Sequence, residues 1–234
     1  MLSPRARRRA RASLDPAVAR RFGTLLRRWF RVHGRDLPWR RTRDPYRILV
    51  SELMLQQTQV SRVVTRYGEF LAEFPTLHDV ARARPRRVLE AWAGLGYYAR
   101  ARNLHALARE VTDRGRDRDA VLPSDAESLR TLPGIGAYTA GAVSSFAYER
   151  RAALVDTNVA RVLKRAFAPE ADLKTAHGQK LVWQLARDLL PRRGPTVWTH
   201  NQALMELGAL VCTARVARCA ACPVRRVCAS AAGA

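Results

Sequence analysis

Lysine is almost missing from this chain. Of 42 basic residues only Lys164, Lys174 and Lys180 are lysine, so chemistry that needs a neutral amine nucleophile has few candidates. The rest are arginines, which fork onto phosphate and keep their proton. Acidic residues are also few: 20 against 42 bases leave a net charge of +22, an excess that suits a polyanion, nucleic acid first. No apolar run approaches the length of a membrane span, and no signal peptide is visible. The expected location is therefore the cytoplasm of a bacterium, at the nucleoid through DNA, with no membrane partner. Strand-like alternation is nearly absent, as are repeats and long linkers, which predicts a compact all-α fold.

Cysteine is scarce and confined to one place. Cys212, Cys219, Cys222 and Cys228 are the only four, spaced C-x6-C-x2-C-x5-C. Four thiolates this close can surround one metal centre. A disulfide framework is the weaker reading, given the missing signal peptide. Zinc ligands usually come as two close pairs, whereas only Cys219 and Cys222 form one here, so spacing leaves both iron–sulfur and zinc open.

Residues 1–13 are basic and without apolar periodicity, which predicts a disordered tail able to touch phosphates; a mitochondrial presequence is the alternative, but the segment lacks a useful hydrophobic face. From Asp15 the pattern turns helical through Phe22, Leu26 and Phe30. A second helix is expected after Pro45, with Ile48, Leu53, Val60 and Val64 continuing one theme. Ser124 with Glu127 reads as a capping box, and later helices are expected over about 139–148, 157–167, 174–190 and 200–211.

Four segments carry chemistry. Leu132-Pro133-Gly134-Ile135-Gly136 joins two helices through a turn whose glycines let a backbone approach phosphate; an ordinary tight turn is the alternative. Asp156 heads a helix, where a carboxylate is usually a cap but is also kept ionised. Glu52 lies in an apolar helical run, so it is either salt-bridged or raised in pKa by burial, the latter fitting a general acid. Gln56, Gln57 and Gln59 follow it; their amides suit base edges, or form a solvated helix face. Gly94-Leu95-Gly96-Tyr97-Tyr98 places two aromatics beside Arg100, Arg102 and Asn103. They either stack on bases or belong to the core.

These segments, in this order, resemble the helix–hairpin–helix DNA glycosylase superfamily with an iron–sulfur cluster, and within it the adenine DNA glycosylases. LPWR at 37–40, SELMLQQTQV at 51–60, GLGYYARARNLH at 94–105, LPGIGAYTAGAV at 132–143, VDTNVARVL at 155–163 and NQALMELGALVC at 201–212 carry the likeness. The resemblance implies two helical lobes with the active site between them: a six-helix lobe with the hairpin over 36–150, and a helical cluster lobe from 14–35 plus 151–230. It implies a 4Fe-4S cluster on the four cysteines, and a monomer acting on double-stranded DNA with a mispair or lesion.

It also implies roles. Glu52 protonates the flipped adenine and then helps activate water, Asp156 stabilises the sugar cation, and Asn158 lies near that sugar. Tyr138 stands where bifunctional relatives carry a lyase lysine, so a monofunctional enzyme is expected. Gln56, Gln57, Leu95, Tyr97, Leu132, Gly134, Gly136 and Thr139 are expected at the DNA, with Gln57 and Tyr97 wedging into the duplex. Arg35, Arg40 and Gln202 are expected near the base pocket. Full-length relatives carry a further MutT-like domain that helps recognise 8-oxoguanine; here six residues follow Cys228, so lesion selectivity stays open. A thymine-mismatch or oxidised-pyrimidine glycosylase is the alternative, and a non-catalytic DNA-binding module a second one, disfavoured by the two carboxylates.

Overall fold

The computed structural model describes residues 14–114 and 121–231, all of them helical or in connecting loops apart from one isolated bridge, Cys212 to Ala217. The expected basic tail over 1–13 lies outside the described residues. Eleven α-helices are seen among them: α1 Pro16–His33, α2 Pro45–Leu55, α3 Val60–Glu73, α4 Leu77–Arg82, α5 Pro85–Ala91, α6 Ala99–Arg114, α7 Ala126–Leu129, α8 Ala137–Ala147, α9 Thr157–Phe167, α10 Ala176–Asp188 and α11 Gly194–Leu210. Short 3-10 turns lie at Pro38–Arg40 and within the cysteine segment. No helix among the described residues is long and apolar enough to cross a membrane.

Side-chain caps set many helix starts. Asp15 accepts from the Ala17 N–H ahead of α1, Asp44 from the Tyr46 and Arg47 N–H groups ahead of α2, and Thr175 from the Gly178 N–H ahead of α10. Thr76 and Asp79 form a reciprocal capping box on α4. Each such cap contributes about 1 kcal/mol. The cap of α7 is Asp125, accepting from the Ser128 N–H at 2.8 Å, rather than Ser124. Ser124 instead accepts from Ser144 Oγ at its carbonyl and from Arg150 at its hydroxyl. The second helix also does not run on to Val64. It stops at Leu55, Gln57 turns left-handed at φ 56°, and α3 begins afresh at Val60.

The chain divides into two units. One gathers the described residues up to Gly34, Val155–Pro191 and the residues from Thr199 on. Its core includes Phe22 and Leu26 of α1, with Phe22 edge-on to Phe167 of α9 at 4.9 Å. The other comprises Arg35–Leu154 and Arg192–Trp198. There α2 packs along α8 and α4 along α6, around Trp92, Phe70 and Phe146. Tyr46 ties α2 to the end of α3 by donating to the Phe74 carbonyl at 2.7 Å.

Candidate active site

In the second unit, α2 and α8 bring Glu52 and Tyr138 together. Glu52 is only 3% exposed, and Tyr138 donates its hydroxyl proton to Glu52 Oε2 at 2.7 Å. One turn away, Gln56 donates to Thr139 Oγ1 at 3.3 Å. A buried carboxylate costs free energy unless something repays it, and here a phenol from the hairpin helix contributes. Residues 86 apart in sequence thus form one polar pair in an apolar helix interface.

The hairpin itself is a tight turn. The Ile135 N–H donates to the Leu132 carbonyl at 3.2 Å, with Pro133 second and Gly134 third at φ 75°, the left-handed place that favours glycine. A Cβ on Gly134 would stand 2.6 Å from Asn103 Cβ, whereas a Cβ on Gly136 would meet nothing within 4 Å. Both glycines are exposed and Gly136 caps α8. Thus Gly134 is needed for folding the turn, and Gly136 leaves open ground for a ligand.

Two loops stand exposed beside the end of α2. Gln57 is on one; Tyr97 and Tyr98, 60% and 42% exposed, are on the other. Together they line an open cavity of about 540 Å³ with Thr58, Arg62 and Gly96. The tyrosines are therefore surface groups and not core. Arg100 is the opposite case. Noted in the sequence only as a neighbour of the tyrosines, it is 6% exposed and spends its guanidinium on backbone carbonyls, with burial pulling its pKa down. Leu95, Leu132 and Thr139, expected at the DNA, are instead buried, at 3%, 3% and 2% exposure. No local sequence signal separates them from their exposed neighbours.

In the first unit, Asp156 is the cap of α9, accepting from the Val159 N–H at 2.7 Å through Oδ1 and from Asn158 Nδ2 at 3.1 Å through Oδ2. The cap reading is thus correct locally, and it fixes the carboxylate. Arg161 donates to Asn158 Oδ1 at 2.7 Å and to the Gly208 and Cys212 carbonyls, which locks Asn158 in turn. Sequence reasoning missed Arg161; its signal was its place one turn beyond Asn158. Gln202 is buried on α11. Arg40 donates to the Arg35 carbonyl at 2.8 Å in the other unit.

All four cysteines are free thiols. Arg165 donates to Cys212 Sγ at 3.4 Å, and the Cys228 thiol donates to the Arg165 carbonyl at 3.5 Å. Burial first, then the charge of neighbouring thiols, pushes Cys222 and Cys228 up. Among the described residues no three Cys, His, Asp or Glu side chains are arranged to hold a metal ion.

A family model described as HhH-GPD superfamily base excision DNA repair protein matches residues 50–188. The chain belongs to that superfamily. It is 42% identical over 223 residues to the adenine DNA glycosylase of Homo sapiens, covering 92% of this chain and 40% of that one. It is 47% identical over 197 residues to the adenine DNA glycosylase of Mycolicibacterium smegmatis, covering 84% and 65%. The chain thus spans between two fifths and two thirds of these curated relatives. Among solved structures, a thermostable thymine-DNA glycosylase matches with a TM-score of 0.83 at 29% identity, covering 93% of this chain and 98% of that one. An endonuclease III–DNA complex matches with a TM-score of 0.75 at 23% identity, over 94% and 98%, and shows the fold.

Proposed function

We propose that this superfamily member is a monofunctional DNA glycosylase that hydrolyses the N-glycosidic bond of adenine mispaired with guanine or 8-oxoguanine. The observation that carries it is the buried Glu52 held by the Tyr138 hydroxyl at 2.7 Å; adenine DNA glycosylases among the relatives supply the base.

Adenine leaves poorly as an anion, so an acid must protonate the ring before the bond breaks. Glu52, to which the Tyr138 hydroxyl donates, is the acid assigned the transferable proton. The flipped adenine takes that proton and departs neutral with the bonding electron pair. Stabilisation of the sugar cation that remains is assigned to Asp156, whose carboxylate accepts from the Val159 N–H. Water then adds to the anomeric carbon and gives its proton to Glu52, which restores the acid. Base extrusion costs a few kcal/mol, offset by insertion of Gln57 and Tyr97 and by pocket contacts from Arg35, Arg40 and Gln202. The exposed Gly134 and Gly136 seat the DNA backbone.

Tyr138 has no amine and cannot form an imine with the sugar, so the product is an abasic site in an uncut strand. The four cysteines fit a 4Fe-4S cluster in number and chemistry: soft donors, free of disulfides, within one loop. Such a cluster, when bound, would anchor that loop; glycosidic hydrolysis moves no electrons. Glu52→Gln tests the reading, because an amide of equal size cannot deliver the proton. Retained adenine release in that variant would refute it. A thymine-mismatch activity is the second reading, favoured by the match to a thymine-DNA glycosylase of nearly equal extent.

A further inference from the structure

We infer that Arg100 is a positioning residue for the exposed Gln57 and Tyr97 loops: it sets their geometry for duplex insertion without touching DNA. The inference rests on the proposed function only for the loops' role at DNA; the bracing itself is geometric. One guanidinium meets six main-chain carbonyls and one hydroxyl. Nη1 donates to Leu53 at 2.7 Å, Met54 at 2.8 Å and Gln56 at 2.5 Å; Nη2 donates to Leu95 at 3.1 Å, Gly96 at 2.9 Å and Thr58 Oγ1 at 3.2 Å; Nε donates to Tyr97 at 3.4 Å. The first three close the C-terminal end of α2, whose last carbonyls have no helical partner. Those to Leu95, Gly96 and Tyr97 hold the second loop, and the one to Thr58 holds the first.

Both loops need holding. Gln57 at φ 56° and Tyr97 at φ 47° are non-glycine residues in the left-handed region, flanked by Gly94 at 84° and Gly96 at 69°. Such conformations persist only where surroundings over-determine them. The Arg100 guanidinium also sits 5.4 Å from the Tyr97 ring centroid and 5.6 Å from that of Trp92, so it supports the exposed ring through face and backbone together. Thr58 bridges the two loops by donating towards the Leu95 carbonyl at 3.3 Å. The two insertion residues are thus coupled through one buried cation. Lysine cannot replace it: an ammonium directs three donors from a single point and cannot span both loops.

The test uses the full chain and a duplex carrying the mispair with 2-aminopurine beside it, whose fluorescence rises when its stack is broken. Wild type, Arg100→Lys and Tyr97→Ala are compared at saturating protein, with melting temperature as the fold control. Adenine release by wild type is assayed separately and tests the proposed function. The wild type should raise fluorescence; folded Arg100→Lys should bind but give no more signal than Tyr97→Ala, with single-turnover release down about tenfold or more. A purely structural role would lower melting temperature and leave the saturated signal intact. If Arg100→Lys does not fold, Thr58→Val is the milder cut and should lose part of the signal. Wild-type signal at saturation in Arg100→Lys, or in Thr58→Val where that variant stands in, overturns the inference. So does absence of any signal from wild type.

Discussion

At the scale of residues, the proposed chemistry separates two carboxylates by environment. Glu52 is buried and held by a phenol, while Asp156 is tied to a main-chain N–H and an amide. Substitutions should divide accordingly. Glu52→Gln is expected to abolish adenine release while duplex binding stays within a few-fold, measured by single-turnover excision and by anisotropy. Tyr138→Phe keeps the ring and removes only the donor; it should slow excision by about tenfold, the size of one hydrogen bond that strengthens as Glu52 gives up its proton. His200 sets a different expectation. It is buried, neither ring nitrogen has a partner, and burial together with Arg27 pulls its pKa down to about 3. A histidine depressed in the folded state stays neutral there, while the unfolded chain takes up a proton below about 6.5. Its contribution is therefore fully present above that pH and is lost as pH falls towards 3, about 2 kcal/mol between pH 7.5 and 5. Urea unfolding of His200→Leu at the two pH values should show that loss removed.

At the scale of elements, the hairpin turn gives the sharpest test of the DNA interface. Gly134→Val would strain a left-handed residue and strike Asn103, so its effect mixes folding with binding. Gly136 has open space and an ordinary φ of −85°. Gly136→Val should thus leave the melting temperature within a few degrees and weaken binding to every duplex alike, with affinity falling steeply as salt rises. Equal affinity in the variant would remove the phosphate contact. Element boundaries show how far sequence reaches. The start of α1 after Asp15 with its Phe22, Leu26 and Phe30 face, the start of α2 at Pro45 and the span of α9 depend on near neighbours and were legible. The break after Leu55 was not, because the partner that takes up the Gln56 carbonyl there, Arg100, lies 44 residues away. The same distance hid the role of Arg100, since a local pattern shows an arginine near aromatics and not the carbonyls it meets. Asp125 displaced Ser124 as a cap for the same reason, the serine being engaged by Ser144 and Arg150.

At the scale of the whole molecule, the arginine-rich composition and the cysteine loop make separate predictions. Purified protein is expected to be brown, with about four irons per chain on the cysteine set. Cys219→Ser should chiefly cost folding and DNA affinity. Stoichiometric zinc without iron would remove the cluster. Near absence of lysine bears on strand chemistry: Lys164 lies two turns along α9 from Asp156, and Ala160 between them carries no amine. Borohydride should therefore trap little covalent protein–DNA complex. The central claim is tested most directly by single-turnover incubation with duplexes containing adenine opposite 8-oxoguanine, adenine opposite guanine, thymine opposite guanine, and thymine glycol, each resolved with and without alkali. The account predicts cleavage at adenine in the first two, only after alkali. Cleavage at thymine or thymine glycol with adenine untouched, or strand breaks before alkali, would contradict it.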